Sequence, residues 1–589
     1  MKSIWKIGVM LVTLACFQTI FMADIVLAVC PALPPGYTYI PGTCIKKAAP
    51  KSGGGGGFEE WSDWTRRGGD NEWGNVYNWE TRRFVRNCIP PECDPPSIIY
   101  EIGPYLPEAN TPVTIADKTP ERMNDNTVHY NLFTEQTSPL LFSLTIGSQM
   151  TLVQDGGYLT SQWEVIEGNF QQSGGTHYIP GWEVVVGDTS HISGLYVGNS
   201  QGSSGSYQLS GAASQLQART ETIGYEGTGL FEQLWGSNQT EYLVLGQQAG
   251  SHGTYSLSGG SLSAETEAIG YGGTGVFNQS GGTNNAGNLV LGVGYDLQDN
   301  LQPNASGTYN LSGTGILSAQ NEVIGGNGTG VFTQTGGTNT VTGTLTISAT
   351  PGTSSGTYNL NGGVLTVAGG IINNDKFNYS GGTLTANLTN SATGTVTLSG
   401  AGTRTVNGSV VNDGTFKVTN TTAVYTGAFL NNGTYISDPA TNRFLDTLTI
   451  GTNGVIIAGD GDIFEFYKDF INNSTKLMAW QTGLADLSFS TGSHEFFLGP
   501  SGNMYWDDMT LDLGATLYLK GYGDLYVDSI DRTDLLNLSQ YYGHLYIGGQ
   551  LYYDGGGGAS VPEPATILLL GIGLIGLTGI RKSLKKVNH

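Results

Sequence analysis

The chain has 589 residues, of which 90 are glycine and only 12% are charged, with a formal net charge of −23. That acidity excludes nucleic acid and anionic lipid as partners, because the summed field of the chain repels both. Aromatic residues at 10% and hydrophobic residues at 38% exclude a disordered acidic chain and leave ample material for buried cores.

Lys2 and Lys6 precede an apolar stretch from Ile7 to Phe21, and Val26-Leu27-Ala28 offers the small residues that a signal peptidase reads. Residues 1–28 are therefore expected to be a signal peptide and the rest of the chain to be exported. Residues 29–140 form a Cys/Trp-rich N-terminal module. Its cysteines, Cys30, Cys44, Cys88 and Cys93, fit disulfides in an oxidising compartment, with three pairings open; zinc is the other reading, although no histidine accompanies the Cys88–Cys93 pair. Trp61, Trp64, Trp73 and Trp79, with Arg82, Arg83 and Arg86, can interleave as a cation–π ladder, pack in a core, or stack on sugar rings. The pattern faintly resembles a thrombospondin type 1 repeat, but the cysteines expected after the tryptophans are missing and Phe84 replaces an arginine.

Residues 141–400 repeat. Tyr207, Tyr255, Tyr309 and Tyr358 head blocks such as Thr254-Tyr255-Ser256-Leu257-Ser258-Gly259-Gly260, about 50 residues apart, with Tyr158 as a degenerate first copy. Between them runs Gly275-Val276-Phe277-Asn278-Gln279-Ser280-Gly281-Gly282-Thr283, with relatives at Phe231 and Phe332, so each long repeat is two similar coils of about 22 residues or more. Alternating strands with Gly-Gly corners cannot bury an apolar face alone, but stacked at about 4.8 Å they can. The expected fold class is all-β: a right-handed parallel β-helix, or solenoid, with the small N-terminal module before it and a C-terminal sorting helix after it. Gln233, Gln279 and Gln334, with Ser258, Ser280 and Ser312, are expected either in interior ladders or at solvated corners. Glu221, Glu267 and Glu322 are expected on a solvated edge, where stacked carboxylates can take up calcium. These blocks resemble the repeats of bacterial surface proteins of the autotransporter-passenger-like kind, which implies a β-helical stalk and carries over no catalytic residue.

Residues 401–554 keep short β-branched segments and gain aromatics, among them Phe464, Phe466, Tyr467, Phe470, Trp480, Tyr505 and Trp506, and are expected to continue the solenoid irregularly and cap it. Asp460, Asp462, Glu465, Asp507 and Asp508 are the best candidates for a carboxylate pair of the glycosidase kind, or for calcium. No catalytic residue is assigned, no metal site is assigned, and the chain is expected not to be an enzyme; a β-helical polysaccharide lyase or hydrolase is the alternative. No cofactor is expected, with calcium left open.

Residues 555–560 are a Gly-rich linker to a tail at 561–589. There Val561, Pro562, Glu563 and Pro564 precede an apolar run from Ala565 to Ile580, then Arg581, Lys582, Lys585 and Lys586. As a helix the run reaches roughly 24 Å, marginal for a hydrocarbon core of ~30 Å. The basic cluster is expected to stay on the cytoplasmic side. This order resembles the PEP-CTERM sorting signal of Gram-negative bacteria. The resemblance implies recognition by an exosortase-type membrane protease, a transient or retained anchor in the inner membrane, and delivery to the cell surface or an extracellular matrix rich in exopolysaccharide. The function expected is that of an exported structural or adhesive protein, a biofilm adhesin associated with that polysaccharide.

Overall fold

In the computed structural model, alternation in the repeats becomes parallel β-structure. The structure describes residues 143–555 except 182, 187–188, 193, 296–300, 303 and 500–502, and before them the backbone of five short strands within 37–130. The fold is nearly all-β, a parallel β-solenoid of about 17 turns with almost no helix. Parallel register is already present where Tyr100–Ile102 pairs with Thr127–Tyr130, and Pro112–Ile115 with Ser143–Ile146.

The chain divides into two compact units, one running to Phe429 with Gly433–Ala440, the other comprising Leu430–Asn432 and the chain from Thr441. In the first, the turns from Ser204 to Ile324 each contribute a short strand such as His252–Leu257 and a longer one such as Ser261–Ile269, and each pairs with its equivalent one turn on. The glycine in each short strand is required by packing: a Cβ at Gly253 would run into the Ile223 carbonyl. At the corner that follows a long strand, Gly246 adopts φ +65°, a conformation open to glycine at no steric cost.

Because tyrosine and phenylalanine turns alternate in register, their rings fall on one another. Phe170, Tyr207, Phe231, Tyr255, Phe277, Tyr309, Phe332 and Tyr358 form one buried stack with centroids 4.6–4.9 Å apart and planes within 6°. Each contact adds about 0.5–1.5 kcal/mol beyond the burial itself. The stack ends where Phe377 tilts by 42° against Tyr358. Beyond it a ladder of amides takes over, with Asn373 Nδ2 donating to Asn390 Oδ1 and Asn390 Nδ2 to Asn412 Oδ1, both at 2.7 Å.

The second unit has a wider aromatic core. Phe466, Phe470 and Phe496 stack at 4.8 Å, Phe489 lies beside them, and Trp506 meets Phe464 and Phe470 edge-on. Of the aromatics of this section, Tyr467 and Tyr505 lie exposed on its surface. The unit closes with a reversal: Leu545–Ile547 pairs antiparallel with Gln550–Tyr553, which occupies the edge that another parallel strand would otherwise extend.

Candidate functional site

The polar residues of the repeats divide into an inner and an outer set. Gln233, Gln279 and Gln334 are fully buried, whereas Ser258 and Ser280 are exposed at the corners and Ser312 is half-buried. The glutamines do not ladder amide to amide. Gln233 Nε2 donates to the Gly236 and Ser261 carbonyls at 3.2 and 2.9 Å, while its Oε1 accepts from the Tyr255 hydroxyl at 2.6 Å. Asn238 Nδ2 reaches the same tyrosine oxygen at 3.1 Å and Glu221 Oε2 at 2.9 Å. The quartet recurs as Glu267, Asn284, Tyr309 and Gln279, and again as Glu322, Asn339, Tyr358 and Gln334.

The expected solvated edge of glutamates is therefore overturned, since Glu221, Glu267 and Glu322 are fully buried. The carboxylates do not stack either, because a leucine turn intervenes between glutamate turns, as Glu221 pairs with Leu243 and Leu243 with Glu267. Burial pushes each glutamate up from 4.5 to about 8, against the lowering effect of its asparagine. At neutral pH they are mainly uncharged, which is how a buried interior accommodates them. An earlier turn carries a variant in which His177 replaces asparagine, with Nδ1 3.0 Å from the Tyr207 hydroxyl and Nε2 2.7 Å from Glu164 Oε1. This interior holds successive turns together and gives a ligand no access.

The outer set builds an accessible site. Pairing in the long strands skips Arg219, Glu241, Glu265, Gly287 and Gln320, where each strand bends. Small residues occupy the register position before the bend: Ala218, Thr240, Ala264, Ala286 and Ala319. The bends line up as an open groove of about 860 Å³ that runs along successive turns from Tyr178 to Thr342. Its walls carry the neutral side chains Gln217, Gln239, Ser263, Asn285 and Ser318, one per turn. Arg219 is paired with Glu241 at 3.0 Å, so much of the little charge present is internally balanced. Donors and acceptors thus repeat at the turn spacing of about 4.8 Å.

The acidic residues singled out in the sequence have other roles. Asp462 is buried and accepts from the Gly459 amide, Glu465 is paired with Arg443 at 2.6 Å, and Asp508 accepts from the Ser529 hydroxyl. Asp486, which sequence reasoning missed, is raised from its usual value by burial and by the neighbouring Asp508 and Asp460 charges. Among the described residues no group of three or more His, Cys, Asp or Glu is arranged to hold a metal ion. The four cysteines, the four N-terminal tryptophans, Val561 to Pro564, the basic tail and the apolar run between them lie outside the described residues. Among the described residues no helix is long and apolar enough to cross a membrane.

The family profile of the PEP-CTERM protein-sorting motif matches residues 560–583. No curated protein and no solved structure matches the chain. The motif is of the kind recognised by exosortase, and it marks an exported, envelope-associated protein.

Proposed function

Starting from an exported chain that carries an exosortase-type sorting signal, we propose that the protein is a non-catalytic structural adhesin of the cell surface or extracellular matrix of a Gram-negative bacterium, held transiently or permanently by its C-terminal apolar segment, and that it binds exopolysaccharide along the groove of its repeats. The observation that carries this reading is the groove's row of neutral amides and hydroxyls, one set per turn. The turn spacing of about 4.8 Å is close to the length of one sugar residue in an extended chain, so a linear glycan meets an equivalent set of partners at each step. Many weak, equivalent contacts give avidity without one strong site. The net charge of −23 favours a neutral polymer over a polyanion.

Replacing three exposed groove residues together, Gln239→Ala, Ser263→Ala and Asn285→Ala, is expected to weaken co-sedimentation of the mature chain with the producing cell's exopolysaccharide by about tenfold or more. Each lost hydrogen bond contributes about 0.5–1.5 kcal/mol. The circular dichroism spectrum and melting temperature should not change, because these side chains face solvent. Undiminished binding by a correctly folded triple variant would refute the groove as the binding surface.

A further inference from the structure

One corner of the first unit breaks the rule of its repeat. Later corners read Ser258-Gly259-Gly260, Ser280-Gly281-Gly282 and Thr335-Gly336-Gly337, whereas the turn at 234–236 reads Leu234-Trp235-Gly236. A tryptophan stands where glycine stands elsewhere, and it is 58% exposed. Fold stability does not require that placement, since the later turns at 258–260, 280–282 and 335–337 make the same three-residue corner with glycine. An indole that local packing leaves more than half exposed is a feature of recognition surfaces.

The surroundings give it a shape and a chemistry. Leu209 pairs with Gln233 and Gln215 with Ser237, so the Ser210–Ser214 corner, which is longer, lies opposite the Trp235 corner. Ala212 and Ala213 at its tip and Trp235 line a cavity of about 270 Å³, completed by Ser214, Ser237 and Ser261. None of its lining residues is charged. The Ser214 hydroxyl oxygen is buried and has no hydrogen-bond partner among the described residues. An apolar ligand has no use for a rim of hydroxyls, and a charged ligand finds no counter-charge.

We propose that Trp235 and the serine-rimmed cavity beside it form a binding site for a single neutral pyranose ring, which stacks its C–H face on the indole and turns its hydroxyls to Ser237 and Ser261. An aromatic plane with an apolar body and flanking hydrogen-bonding groups matches the amphipathic faces of a sugar. The site deepens the glycan-binding reading and rests on it: it grips one residue or chain end, whereas the groove follows a polymer.

Saturation-transfer NMR of the mature chain with methyl β-D-glucopyranoside tests it, alongside Trp235→Ala, Trp235→Tyr and the triple groove variant. Transfer to the sugar is expected in the wild type and in the groove variant, to fall at least about fivefold in Trp235→Ala, and to recover in part in Trp235→Tyr. Absence of transfer in the wild type, or equal transfer in Trp235→Ala, would overturn the site. Loss confined to the groove variant would overturn it too while leaving the groove reading in place. Loss of exopolysaccharide binding in the groove variant, with monosaccharide transfer intact, would show the two as separate sites.

Discussion

Tyr255→Ala is expected to unfold the repeat unit well below the wild-type melting temperature. Removing a fully buried ring from a packed interior costs about 3–5 kcal/mol. Here it also opens a gap between Phe231 and Phe277 and strips Gln233 Oε1 of its donor and the Asn238 amide of an acceptor. Each buried polar group left unpaired adds about 1–3 kcal/mol. Tyr255→Phe keeps the stack and loses only the hydroxyl, so it should show the polar part of the loss alone. Denaturant titration of the mature chain checks both. A Tyr255→Ala variant as stable as Tyr255→Phe would mean that the ring stack contributes little.

The second large effect is a loss of stability as pH rises from about 4.5 to about 8. Glu221, Glu267 and Glu322 have folded values raised from 4.5 to about 8, so between these limits the folded chain holds protons that the unfolded chain has released. The stabilisation is complete below about pH 4.5 and is lost as pH rises through about 8. Each carboxyl contributes a slope of up to about 1.4 kcal/mol per pH unit within that window. The tyrosines of the same networks, Tyr207, Tyr255, Tyr309 and Tyr358, are pushed well above their usual value by burial and do not titrate there. The melting temperature should fall from pH 5 to pH 9. The triple variant Glu221→Gln, Glu267→Gln, Glu322→Gln, which imitates the protonated acids, should flatten that fall. An equal pH slope in the variant would show that other groups set it.

Strand positions and stacking were legible because Tyr255 and Phe277 sit in motifs whose glycines mark the corners and whose alternation has one consistent face. The glutamates were not legible, since an isolated acidic residue is normally solvated. The signal available was pairwise: Glu221, Glu267 and Glu322 each lie the same distance before Asn238, Asn284 and Asn339, and each alternates with a leucine one turn on. Asn373, Asn390 and Asn412 similarly recur after an apolar residue two positions earlier, as in Ile371-Ile372-Asn373, a weaker pattern that marks the amide ladder. The groove follows from a bend at residues that the pairing skips. The signal available for it was a column of small side chains at Ala218, Ala264, Ala286 and Ala319, whose alignment emerges only from the register. Trp235 was not read from the sequence, although it stands where later corners carry glycine.

The most direct test is the intact mass and location of the protein in fractionated cells. A chain lacking the N-terminal signal and everything after about Val561, recovered from the outer fraction or the medium together with polysaccharide, is the expected result. A chain that keeps its tail and stays in the inner membrane without polysaccharide would contradict its role as a sorted, glycan-binding surface protein.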